Sequence, residues 1–176
     1  MRTIKFRGKC AKGSRYAGEW VYGSCVQCEK SDDVLITAAI NDRCSCTYHV
    51  DPATVGQFTG LTDKNGKEIY EGDILKWYEI GHSDHDVLEP PEDYIKEFIG
   101  VVEFLAGGFA ISRGEFPSPI PVAYLTEDFQ ANDDDMFKWV YNTDEYPNIT
   151  IDDMYICEVV DNIHDNPELI EKGGEA

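Results

Sequence analysis

The residues best suited to chemistry in this chain of 176 residues are its six cysteines and four histidines. Cys25-x2-Cys28, followed after fifteen residues by Cys44-x-Cys46, approaches the four-thiolate spacing of a zinc ribbon. Such a site needs ligands on turns, held so that four sulfurs form a tetrahedron. Here the second pair has one residue between its cysteines where a ribbon has two. In an extended strand over "WVYGSCVQC", Cys25 and Cys28 also point to opposite faces. The alternation instead places Cys44 and Cys46 on one face with Tyr48 and Val50, the pattern of small core hydrophobes. Cys10 and Cys157 have no thiol near them in sequence, and a reducing compartment keeps all six as thiols. The second cluster is His82, Asp84, His85 and Asp86, two imidazoles and two carboxylates that could share a divalent cation. Their spacing would need a helix to converge, whereas Gly81 and Pro90 predict an exposed loop.

No other residue pattern assembles a reaction centre. No serine has the context of a nucleophile elbow, and no glycine-rich phosphate loop is present. The 34 acidic side chains are too many for any pair to be singled out as acid and base. The expectation is a protein that is not an enzyme and carries no cofactor. Metal binding through the Cys or the His/Asp cluster is an alternative.

Charge narrows the partners. The formal net charge is −19, yet six of the 15 Lys and Arg lie within the first fifteen residues (Arg2, Lys5, Arg7, Lys9, Lys12 and Arg15). The rest carries 9 basic against 34 acidic side chains, a net of −25. Such a surface repels nucleic-acid phosphates, whose binding needs Lys and Arg to displace counterions, and it disfavours anionic membrane. No apolar run approaches the roughly 20 residues needed to span a bilayer, and "MRTIKFRGKC" lacks the apolar segment of a signal peptide. The expected location is the cytoplasm of a bacterial host. The expected partner is another protein or a second copy of the chain.

The elements that would position these residues are mostly strands. "TIKFRGKC" alternates, with Ile4 and Phe6 facing one way and Lys5 and Arg7 the other. "WVYGSCVQC", "DDVLITAAI" and "CSCTYHV" predict three further strands. Asn65-Gly66 predicts a hairpin turn, since both residues accept positive φ. Glu71-Gly72-Asp73 predicts a second turn, with Gly72 supplying an unusual backbone angle and Asp73 bonding nearby N–H groups. A strand resumes at Ile74, and "GHSDHDVLEPPEDY" reads as a loop. Phe98–Leu105, Gly107-Gly108 and Phe109–Ser112 form a second hairpin, and the proline-rich "FPSPIPVAYL" suits a sheet edge. "NDDDMFKWVYN" predicts a helix capped by Asn132, and "DNPELIEK" a short terminal one with Asn166 as cap and Pro167 in its first position. Trp20, Tyr22, Trp77, Tyr78, Phe104 and Phe109 fall on strands and are expected to serve core or interface packing.

With these residues in view, the chain resembles the YopX family of bacteriophage and prophage proteins. The likeness rests on "IKFRGK", "GEWVYGSCV", "VDPATVGQFTGLTDKNGKEIYEGDIL", "GVVEF" with "FAI", and "EVVDNIHDNPELI". It implies a mainly β chain: a small β-roll related to SH3-type barrels, with an N-terminal β extension and one or two short helices. It implies no catalytic residues, and the cysteine pairs and the "HSDHD" loop lie outside its motifs. The expected division is an N-terminal β region over 1–58, a barrel over 59–165 with insertions near 81–97 and 126–148, and a helix and tail over 166–176. Asn65, Gly66, Glu71, Gly72 and Asp73 then serve as structural turn residues. The expected function is that of an accessory protein that binds proteins or assembles with itself. A nucleic-acid mimic that blocks a DNA-binding host protein is an alternative.

Overall fold

The structure is a computed structural model that describes residues 3–28, 31–41, 43–82, 93–105, 107–113, 116–118, 120 and 157–172. The mainly β expectation holds. The strands are β1 Phe6–Lys9, β2 Trp20–Gln27, β3 Val34–Asn41, β4 Cys44–Val50, β5 Gly56–Thr62, β6 Glu68–Tyr70, β7 Asp73–His82, β8 Asp93–Leu105, β9 Gly108–Arg113, β10 Phe116–Ser118 and β11 Glu158–Asn162, followed by helix α1, Glu168–Lys172. They form two antiparallel sheets, ordered β4-β3-β2-β1-β5-β6 and β10-β9-β8-β7-β11. The chain divides into two compact units. One holds Met1–Leu61 and Glu68–Gly72, and the other holds Thr62–Lys67 and Asp73–Ala176.

In the first unit, β1 to β4 curl until the last strand meets the first. Cys10 bridges Val50. On either side, the Ala11 N–H donates to the His49 carbonyl at 2.9 Å and the Asp51 N–H to the Lys9 carbonyl at 2.8 Å. The period-two pattern explains what the roll encloses. Val34, Ile36 and Val50 are buried at its centre, with Phe6, Val21, Cys25, Tyr48 and Val55 packed against them. Each fully buried aliphatic side chain contributes roughly 1.5–3 kcal/mol.

Both faces of β1 are lined. Phe6 packs against the core of the roll, and Arg7, on the other face, is 6% exposed, while Ile4, ahead of the strand, is 68% exposed. The reason is topological: β1 is an interior strand between β2 and β5, so both its faces are flanked by side chains of neighbouring strands. Aromatic rings then roof the face that carries Arg7.

In the second unit, β7 and β8 pair from Ile74↔Val101 to His82↔Asp93. The ladder therefore runs into both ends of the stretch read as a loop over 81–94, at Gly81↔Tyr94 and His82↔Asp93. The β8–β9 hairpin has Gly107 at φ +88° in its turn, as the Gly-Gly pair predicts. Proline-containing β10 lies at the sheet edge, where a missing N–H costs no interior hydrogen bond. Ile74, Leu75, Trp77, Val102, Ile111, Cys157 and Val159 are buried. At α1 the Leu169 N–H donates to the Asn166 carbonyl and the Ile170 N–H to that of Pro167, the start expected from Asn-Pro. The helix expected over 132–142 lies outside the described residues.

Candidate functional site

The signature stretch 59–75 is held by its backbone. Asp63 is almost fully buried. Its Oδ1 accepts the N–H groups of Asn65 and Lys67, both at 2.8 Å, and its Oδ2 accepts the Val159 N–H at 3.0 Å. The Asp63 N–H donates to the Lys67 carbonyl and the Gly66 N–H returns to the Asp63 carbonyl, both at 2.9 Å. Gly66 sits at φ +77° with no atom near the position of an added Cβ. The turn is stitched to β11 at further points. The Lys64 N–H donates to the Cys157 carbonyl at 3.1 Å, and Lys64 Nζ lies 2.9 Å from Glu158. Burial, and secondarily the Asp63 carboxylate, push the Cys157 thiol up to about 12, so this cysteine is not a thiolate near neutrality.

The second turn serves the first unit. Gly72 has φ +81°, which favours glycine. The Glu71 N–H donates to the Gln57 carbonyl at 3.0 Å, and the Glu71 carbonyl accepts from Arg7 Nη2 at 3.1 Å. A Cβ on Gly56 would come within 2.4 Å of that same carbonyl oxygen, so glycine is what lets the Glu71 peptide lie so close to β5. Asp73 opens β7, buried and opposite Asn162 of β11.

A cation–aromatic strip lies beside this turn. The Arg7 guanidinium sits 4.9 Å from the Trp20 ring centre and 5.1 Å from that of Tyr70. Lys5 Nζ lies 2.6 Å from Glu68 Oε2, which also accepts the Tyr70 hydroxyl at 2.7 Å. These two hydrogen bonds hold the Glu68 carboxyl below its ordinary value of 4.5. Burial, and then Glu68, drive the Tyr70 phenol well above its ordinary value. Alternation puts Lys5 and Arg7 on one face but does not show what covers that face. The available signal was the row Trp20, Tyr22 on the next strand, which the register Arg7↔Tyr22 and Lys9↔Trp20 brings alongside.

The metal candidates stand as follows. Cys25 packs on the core of the roll, opposite Ile36, and Cys28 follows the end of β2. Cys46 is half-buried, and Cys44, expected as a core residue, is exposed, because it lies at the open end of β4. Among the described residues no group of three or more His, Cys, Asp or Glu could hold a metal ion. His82 ends β7, while Asp84, His85 and Asp86 lie outside the described residues.

One surface was not anticipated. Strands β2, β3 and β4, of 8, 8 and 7 residues, contain no Asp, Glu, Lys or Arg, in a chain that is 28% charged. Their solvent side carries Tyr22, Ser24 and Val26 on β2, Leu35, Thr37 and Ala39 on β3, and Ser45, Thr47 and His49 on β4. Val26 is 56% exposed, and Ile40, at the bulge that ends β3, is 61% exposed.

These features define a two-unit antiparallel β protein whose signature sequence shapes turns. The chain belongs to the YopX family: the family described as YopX protein matches residues 5–171. Among solved structures, the chain is similar to one titled "Crystal structure of protein EF1440 from Enterococcus faecalis", with 18% identity, a TM-score of 0.42, and 97% of this chain and 99% of that one covered. No curated protein matches the chain. Among the described residues no helix is long and apolar enough to cross a membrane.

Two expectations follow. Gly66→Ala should destabilise the protein by roughly 1–2 kcal/mol, the cost of a left-handed conformation for a residue with Cβ. Gly66→Asn should cost less, as urea unfolding would show. For Glu68, a folded-state value below the unfolded one means stabilisation that is fully present above pH 4.5 and fades as pH falls through the lower folded value. The stability gap between the native chain and Glu68→Gln should therefore be constant above that pH and shrink below it.

Proposed function

We propose that this chain is a phage- or prophage-encoded accessory protein that works by binding protein, its own copies included, and not by catalysis. The observation that supports this reading is the charge-free solvent side of β2–β4. An antiparallel sheet with one wet face ordinarily alternates apolar and polar positions, and charged residues are the commonest way to keep the wet face solvated. Here hydroxyl, small and apolar side chains replace them, with Tyr22 at one margin. Depletion of charge together with exposed aromatic and aliphatic groups is the composition of an interface centre. Thr37 Oγ1 and Thr47 Oγ1 lie 2.9 Å apart, so these two hydroxyls at the middle of the face satisfy each other.

A second reading draws on the net −25 outside the N-terminal head: the acidic surface would occupy a basic site on a DNA-binding host protein. The two readings separate in one experiment. Tagged protein is used to capture partners from host lysate and is compared with Val26→Glu, which alters only an exposed position. The protein-binding reading expects a defined partner, or a second copy, that is lost at least tenfold in the variant. Capture that is unaffected by Val26→Glu but abolished by salt supports the acidic reading instead. A strictly monomeric chain that captures nothing overturns both.

A further inference from the structure

We propose that Asn65 is a self-modification site, open to deamidation whenever the signature turn opens and kept unreactive in the native fold by the hydrogen bonds of Asp63. The inference is independent of the protein-binding reading. Asn65-Gly66 is the only Asn-Gly pair in the chain, and each of the other six asparagines precedes Asp, Thr, Ile or Pro. Glycine matters here because it has no side chain to shield its amide nitrogen. That nitrogen can attack the side chain of the preceding asparagine, one reason asparagine counts among the thermolabile residues. The step needs only solvent. Hydroxide takes the proton of the Gly66 amide. The nitrogen then bonds to Asn65 Cγ, the Cγ–Nδ2 bond breaks, and the side-chain nitrogen takes a proton from water and leaves as ammonia. Water opens the resulting cyclic imide at either carbonyl, giving aspartate or isoaspartate at position 65. A water is consumed and an ammonia released, with no change of oxidation state.

Burial does not protect the pair. Asn65 and Gly66 are both exposed, and an added Cβ on Gly66 would meet nothing within 4 Å. What opposes the reaction is the bonding of the reacting segment. The Gly66 N–H, whose proton must leave, donates to the Asp63 carbonyl at 2.9 Å. The electron pair left by that proton points at the same carbonyl, and it must be turned toward Asn65 Cγ before the ring can close. That rotation breaks the bond that closes the turn. On either side, the Asn65 and Lys67 N–H groups both donate to Asp63 Oδ1 at 2.8 Å. Asp63 is itself fixed, since its Oδ2 accepts the Val159 N–H at 3.0 Å. Reaction therefore waits for the turn to open. Chemistry slower than reclosing tracks the population of the open form, and local opening of this kind is what the Asp63 seam suppresses.

The isoaspartate product does not restore the turn. Its main chain runs through Cβ and Cγ, one atom longer than before, which takes the Gly66 and Lys67 N–H groups out of register with Asp63. A chain that has stayed open long enough thus carries a lasting record of it. The test ages native protein in buffer and protein held in urea at one pH and temperature. Peptide mass mapping then follows position 65 and separates aspartate from isoaspartate. Deamidation should be at least tenfold slower in the native protein than in urea. In buffer, Asp63→Ala should deamidate at least tenfold faster than the native chain, while Ile111→Val, a core change away from the turn, should stay near the native rate. If Asp63→Ala does not fold, the comparison of buffer with urea and the Ile111→Val rate decide. Of the chains returned from urea, the isoaspartate form should unfold at lower urea than the aspartate form. Equal rates in buffer and urea overturn the proposal, as does a faster reaction in the native protein. It also falls if Ile111→Val raises the rate as much as Asp63→Ala does, since protection would then come from global stability and not from this turn.

Discussion

The structure depends first on one buried carboxylate. Asp63 accepts three backbone N–H groups, two from its own turn and one from Val159, 96 residues further on. A charged acceptor serving several amides is worth more than a neutral one, and leaving those amides without it would cost their full desolvation. The turn and the returning strand β11 are therefore fixed together. Lys64, which bonds the Cys157 carbonyl and pairs with Glu158, extends the same seam. What looks like a dense functional motif is dense because a short stretch must satisfy many backbone groups in a small space.

That reasoning also shows what the sequence made legible. Asn65-Gly66 and Glu71-Gly72 were readable because glycine reports a backbone angle directly, and both glycines have positive φ. The expectation named Asp73 for the second turn and no carboxylate for the first, which Asp63 holds. Local chemistry makes every Asp near a turn equivalent, and only the return of β11 singles Asp63 out. The burial of Arg7 was not legible for a related reason. Alternation tells which residues share a face but not whether that face is wet, and an interior strand roofed by Trp20 and Tyr70 has no wet face there. Cys44 shows the converse error, since it shares the face of Tyr48 and Val50 but lies past the end of the core.

The distribution of charge was legible in bulk and not in detail. The basic head and acidic remainder follow from counting. The absence of charge from β2, β3 and β4 is equally plain in the letters, but it becomes a surface only when register places the three strands side by side. A charge-free sheet on a chain of −19 is a contrast that solubility alone does not require.

The most direct measurement is the unfolding free energy of Asp63→Asn in urea, taken alongside partner capture. An amide presents a donor where the native carboxylate accepts, so one of the three N–H groups faces another donor. The account predicts a loss of roughly 2–4 kcal/mol, with binding changing only as far as folded protein is lost. An unchanged unfolding curve together with abolished binding would contradict it, because Asp63 would then serve a ligand and not the backbone.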